Sequence, residues 1–257
     1  MTRIIFNADD FGYSEAVSLG IIKAHYDGLI KSTTMMTNME SAAFAAQLAK
    51  KYPSLYVGQH SNIVVGKPCS NPKDIPSLVD TNGFFNTKQR QNAGLKLDRE
   101  DIRKEIRTQA ERFKELMGHY PTHIEGHAIR DRGLFWAIKE VALELKIHFT
   151  DIENDLAGQS LRNQYKIGYE IPVYPDTMYY MENVDLKYWT DDWGNLLQKE
   201  LVEMHTHPGF IDQYLLDHST YNLPRAKEVS IACDVRVKEW AAANGVEFIT
   251  FEDLRKL

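Results

Sequence analysis

The chain has 257 residues, 43% of them hydrophobic and 26% charged, with a formal net charge of −6. That is enough apolar material for a sizeable core and a normal length for one α/β barrel, while the acidic balance argues against nucleic-acid or anionic-membrane partners. No apolar run approaches a membrane span, and the opening MTRIIFNADD has no signal-peptide core. Cys69 and Cys233 are far apart and lack CxxC spacing, so a reducing, cytoplasmic setting is expected.

In chain order, Arg3 to Asn7 reads as a buried strand that runs into two adjacent carboxylates, Asp9 and Asp10. Neighbouring acids at a buried strand end repel each other and lose hydration, and a cation is the simplest compensation. Ser14 is a candidate N-cap for the next helix, with Glu15 in its first turn and Gly28 closing it. Ser32 to Thr37 predicts a second strand. Ser41 opens a helix that Pro53 stops, and Leu55 to Ile63 predicts a third strand. Residues 66–97 carry Pro68, Pro72, Pro76, Gly83 and Gly94 without a long period, and are expected to form an inserted loop over one end of the fold. Ile102, Ile106, Phe113 and Leu116 then form one helical stripe between a cap at Asp98 and a stop at Gly118. A fourth strand is predicted over Thr122 to His127. A helix LFWAIKEVALELK and a short strand near Ile147 to Thr150 follow. Residues 151–192 read as irregular and rich in Tyr. A helix near Leu196, a strand over Leu201 to His207, one last helix from about Arg225 to Asn244 and a strand over Val246 to Thr250 complete the pattern.

Strand–helix alternation of this kind implies parallel strands with helical crossovers. The expected fold is α/β, a distorted or incomplete (β/α) TIM-like barrel of about seven parallel strands in a single domain, 1–257. An open doubly wound sheet is the alternative. Both gather chemistry at the C-terminal ends of their strands. Four separated segments bring polar groups to that rim: Asp9 and Asp10, His60 in VGQHSN, His127 in THIEGHA, and His207 in EMHTHPGF.

In THIEGHAIR, a helix would put His123 and His127 on one metal-binding face. Pro121, Gly126 and the Ile124 that directly follows the first His favour a strand with alternate side chains facing inward. His127, nearest the strand end, is then the candidate ligand, and His123 and Glu125 lie deeper as support. An Asp-His-His set suits a divalent ion and leaves positions for water and substrate. One of the two adjacent aspartates can bind the ion while the other takes a proton from water. The alternative is that Asp9 or Asp10 only caps the following helix.

NADDFGYS, VGQHSNIVVGKP, PTHIEGH, THPGFID and NLPRAKE, in this order, resemble the YdjC-like carbohydrate deacetylases, which include chitooligosaccharide deacetylases. The resemblance covers nearly the whole chain. It implies a metal-dependent hydrolase that removes N-acetyl groups from sugars, usually short chitooligosaccharides or their 6-phosphates, in polysaccharide degradation. By position, Asp10, His60 and His127 match the metal ligands, Asp9 the general base and His207 the general acid. The family implies magnesium, whereas ligand type leans towards zinc or another transition ion. His205 is read as a support residue. Arg225 is read as orienting Asp9, binding substrate, or lying on a surface helix. Tyr179, Tyr180, Trp189 and Trp193 are candidates for a sugar platform or for core cover. The chain departs from the family pattern at Gln59 and Ser61, at Glu125-Gly126 and at Ala128-Ile129-Arg130. IHFTDI stands where the family usually has an Arg, with Arg130 or Arg132 as possible replacements. A metal-dependent phosphoesterase and a sugar-binding or regulatory protein without turnover are the competing readings, and a homodimer stays open.

Overall fold

In the strand β1 (Arg3–Phe11), side chains alternate between two very different surroundings. Ile4, Phe6 and Ala8 join the main apolar core, and Ile5 joins a smaller cluster with Leu201, Ile249, Phe251 and Leu254. By the same alternation, Asn7 and Asp9 follow Ile5 on the inward side. In this computed structural model, which describes residues 1–128, 131–149, 161–162, 172–175, 181 and 184–256, β1 is the central strand. It pairs in parallel with β2 (Ser32–Met35), β8 (Leu201–Thr206) and β9 (Glu247–Ile249).

From β2 the sheet continues in parallel through β3 (Tyr56–Ser61), β4 (His123–Gly126) and β5 (His148–Phe149). On the other side β8 pairs with β7 (Pro172–Pro175), and β6 (Leu161–Arg162) adds the antiparallel pair. The order is β5-β4-β3-β2-β1-β8-β7-β6, and no pairing joins β5 to β6 among the described residues. The fold is therefore an incomplete (β/α) barrel, as the alternation of elements predicts.

Helices α1 (Glu15–Tyr26), α2 (Ala42–Lys51), α4 (Arg99–Met117) and α5 (Arg132–Leu145) make the crossovers on one half. Local chemistry sets several of their ends. The Ser14 hydroxyl accepts from the Val17 N–H at 3.2 Å, Asp98 caps α4, and Gly118 ends it in the left-handed conformation at φ 88°. Residues 66–97 hold a 3₁₀ turn (Pro72–Asp74) and the short helix α3 (Thr87–Asn92). Ile75, Leu78 and Phe85 in this segment join Ile102 and Ile106 of α4 in a second core cluster.

Four expectations change. The first strand does not stop at Asn7, because β1 continues through Asp9 and Asp10 to Phe11. The helix expected near Leu196 is only a 3₁₀ turn (Leu196–Gln198), entered through a left-handed Asn195 whose following N–H groups are taken by Asp192. The last helix is two helices, α8 (Leu223–Cys233) and α9 (Val235–Ala243), because Asp234 adopts extended backbone and its side chain caps α9 through the Arg236 N–H. Within 151–192, which reads as irregular, the described residues include β6, β7 and the short helix α6 (Lys187–Thr190). Helix α7 (Gln213–His218) precedes α8.

Candidate active site

The inward face of the sheet changes character along its height. The apolar cluster around Ile5 and Phe251 closes the lower end. The His123 ring stacks on Phe251 with centroids 3.7 Å apart, and Gly58 on β3 leaves room for it, since a Cβ there would lie 2.4 Å from the imidazole. Above lie Glu203, His205, Asn7, Thr34 and Glu125, all buried, and the C-terminal rim carries Asp9, Asp10, His60 and His127.

Adjacent residues of a regular strand point to opposite faces, so Asp9 and Asp10 could not both serve one rim. The backbone resolves this at Asp10, whose φ is +71°, and the β1–β2 register shifts between Ala8 and Phe11. This bulge turns Asp10 back to the rim while Asp9 keeps its inward place.

Asp10 Oδ1 lies 3.1 Å from His60 Nε2 and 3.0 Å from His127 Nδ1, and the two ring nitrogens are 3.0 Å apart. Despite this crowding Asp10 Oδ1 has no hydrogen-bond partner among the described residues. Asp10 Oδ1, His60 Nε2 and His127 Nδ1 thus converge as three candidate ligand atoms, the arrangement a cation site requires once the imidazoles are deprotonated. Asp10 Oδ2 is held by Arg225 Nη2 at 2.6 Å. Burial opposes ionisation of Asp10, but the Arg225 and His127 charges outweigh it and hold the carboxyl well below its usual range. Asp9, His60 and Glu125 form a second cluster of possible ligands. There His60 Nδ1 is already engaged by Glu125 at 3.0 Å, and Asp9 Oδ1 accepts from Asn7 at 2.9 Å, so these atoms already have protein partners.

Asp9 sits beside the first cluster. Its Oδ1 also meets His205 Nδ1 at 3.1 Å, while its Oδ2 faces His207 Nε2 at 3.8 Å. Burial, with Glu125 nearby, raises the Asp9 pKa. His205 is wedged between Asp9, Glu125 and Glu203. Burial disfavours its charge, but the Glu125 and Asp9 carboxylates raise its pKa well above the ordinary value. Glu125 bridges His60 and His205, and also accepts from Thr34. His207 follows β8 directly; burial lowers its pKa to about 4 and leaves it neutral.

Sequence reasoning singles out Asp9, Asp10, His60, His127, His207, His205, Glu125 and Arg225, and the structure brings them together. Arg225 is buried and contacts Asp10, not Asp9, and it does not lie on a surface face of α8. Trp189 is fully buried against Phe6, Trp240 and Phe248, a core position that rules it out as a sugar platform, whereas Trp193 is exposed. Tyr179, Tyr180 and Arg130 lie outside the described residues, and Arg132 is the first residue of α5. Asn7, Thr34, Glu203 and His148 are interior residues that the motif reading misses. Stepping back two positions from Asp9 to Asn7, and from His205 to Glu203, was the available signal.

Comparison with known proteins matches this chain to a family. A family model described as YdjC-like protein matches residues 3–243. Carbohydrate deacetylase 2 of Listeria innocua is 31% identical over 99% of both chains. A carbohydrate deacetylase of Clostridium beijerinckii is 33% identical over 98% of this chain and all of its own length. Among solved structures, one described as a cellobiose-phosphate cleavage protein of Enterococcus faecalis superposes with a TM-score of 0.84 at 26% identity, covering 98% of each chain. A peptidoglycan N-acetylglucosamine deacetylase, at TM-score 0.51 and 14% identity, shares the fold. With the match running from β1 to the last residue of α9 and including every rim residue above, the chain belongs to the YdjC-like protein family.

Proposed function

We propose that this chain is a metal-dependent carbohydrate deacetylase that hydrolyses the N-acetyl group of short chitooligosaccharides or their 6-phosphates. The observation that carries the reading is the convergence of Asp10, His60 and His127 donors 3.0–3.1 Å apart, with Asp9 and His207 beside them. The names of the curated relatives support the sugar substrate, and that of the Enterococcus structure supports including phosphorylated disaccharides.

Asp10, His60 and His127 would hold one divalent ion. Bound there, it would polarise the acetyl carbonyl and lower the pKa of water. The imidazoles favour a transition ion. The family resemblance implies magnesium, which therefore stays in the test. Asp9 is the base. Asn7 and His205 fix its Oδ1, leaving Oδ2 to take the proton of the attacking water. As the water oxygen bonds to the acetyl carbon and the C–N bond breaks, the amine must leave protonated. His207, neutral at rest and 3.8 Å from Asp9, relays that proton to the nitrogen. The products are acetate and the free amino sugar.

The test is acetate release from N,N′-diacetylchitobiose, with and without a 6-phosphate, after chelation and readdition of Mg²⁺, Zn²⁺ or Co²⁺ singly. Asp9→Asn is expected to keep the metal and lose about 10²–10⁴-fold in rate. His127→Ala is expected to lose the metal. Phosphate release without acetate, or oligosaccharide binding without turnover under every ion, would overturn the reading.

A further inference from the structure

Glu228 is a fully buried carboxylate on α8 that none of the steps above uses. It accepts from three groups. One oxygen receives both the Thr206 hydroxyl and the backbone N–H of His207, and the other receives the Tyr221 hydroxyl. Thr206 is the last residue of β8, so Glu228 ties the end of that strand to α8 exactly where His207 leaves the sheet. Tyr221, held by Glu228, packs its ring edge-on to the His207 ring, with centroids 5.4 Å apart. The backbone beyond His207 is equally confined, because the Gly209 N–H donates to the Arg225 carbonyl at 3.3 Å and a Cβ on Gly20 of α1 would lie 2.5 Å from Gly209 Cα.

Arg225 and Glu228 are three residues apart on α8 and therefore share its buried face. Arg225 reaches Asp10 and Glu228 reaches His207. We propose that Glu228 is a positioning residue for the proton-delivery half of the site: it sets the place of His207, while Arg225 serves the Asp10–His60–His127 half. The proposal rests on the reading of His207 as the group that protonates the leaving amine. Removing Glu228 leaves the His207 N–H and the Thr206 hydroxyl buried without their acceptor and frees Tyr221, so the His207 ring shifts. Displacement of a reacting group by about 1 Å costs about a hundredfold in rate.

The leaving group separates this role from general structural support. N,N′-diacetylchitobiose has an amine leaving group that must be protonated, whereas 4-nitrophenyl acetate releases a phenolate that needs no acid. Glu228→Ala is expected to lower kcat on the amide about 10- to 100-fold, with KM and the measured affinity for Zn²⁺ within about threefold of wild type and ester turnover within about threefold. Glu228→Gln keeps an acceptor oxygen for the His207 N–H. It is expected to recover part of the lost amide rate and to leave the amide-to-ester ratio about threefold below wild type. If Glu228→Ala does not fold, the ratio in Glu228→Gln decides. Equal losses on both substrates, or loss of Zn²⁺ binding in step with rate, would overturn the positioning role and leave the deacetylase reading standing. Wild-type protein that releases acetate from the ester alone would overturn the deacetylase reading and this proposal with it.

Discussion

Replacing Arg225 by Met tests whether Asp10 is an ionised, pinned carboxylate. The two side chains are 3% and 1% exposed and meet at 2.6 Å. Removing one partner of such a pair typically costs about 3–5 kcal/mol, because the survivor stays buried and charged. His60 moderates this here. Burial disfavours its charge, but the Asp10 and Glu125 carboxylates raise its pKa to about 10, so a second cation remains beside Asp10 when the guanidinium is gone. The expectation therefore lies at the lower end, about 3 kcal/mol in chelator. Asp10→Asn alone strands Arg225 and is expected to cost about 2 kcal/mol. The double variant removes both charges and should be more stable than the sum of the single changes predicts by about 2 kcal/mol. Urea unfolding of the four proteins at pH 7 in chelator gives the cycle directly. Single effects that simply add, to within about 0.5 kcal/mol, would refute the pairing and with it the account of why Asp10 presents only one free oxygen.

Other outcomes follow from the buried layer beneath the rim. Burial lowers the His123 pKa to about 3, against an ordinary value of 6.5. Only the unfolded chain takes up a proton there between these values, so the stability tied to His123 is whole above pH 6.5 and is lost as pH falls towards 3. His123→Phe, which can keep the stack on Phe251, should flatten the acid-side dependence of the urea midpoint by up to about 1.4 kcal/mol per pH unit, and superimposable slopes would contradict this. Gly58→Ala places a methyl against the His123 ring and should lower stability by about 1–3 kcal/mol in thermal unfolding, with His123→Ala partly relieving it. Trp189→Ala should cost about 3–5 kcal/mol in stability without changing KM for chitobiose, whereas a platform residue would change KM first.

Much of this architecture is visible in local sequence signals. Ser14, Asp98 and Gly118 mark helix ends because capping is decided within four residues of chain. The rim histidines are visible because each falls at the end of a segment that the strand–helix alternation marks as a strand. What escapes is decided by tertiary arrangement. The turn of α8 that buries Arg225 cannot be read from RAKE, because nothing local says which face meets β1. The break at Asp234 is hidden by apolar positions that stay helical in period on both sides, although Asp before Val235 is a cap residue by type. The short strands β6 and β7 carry too few residues for alternation to be recognised, and Pro172 and Pro175 argue against a strand. Asn7 and Glu203 look unremarkable until β1 and β8 are known to be neighbours, when both turn out to face one polar interior.

The left-handed backbone at position 10 has a consequence for how freely that position can vary. Glycine, asparagine and aspartate enter this region at little cost, whereas branched side chains are strongly disfavoured there. In a saturation library selected only for soluble expression in chelator, codon 10 should therefore be enriched in those three amino acids, aspartate first because the other two strand Arg225, although glutamate preserves the charge and alanine is smaller. Selection for turnover would then leave aspartate alone, so folding and chemistry filter the same codon in sequence.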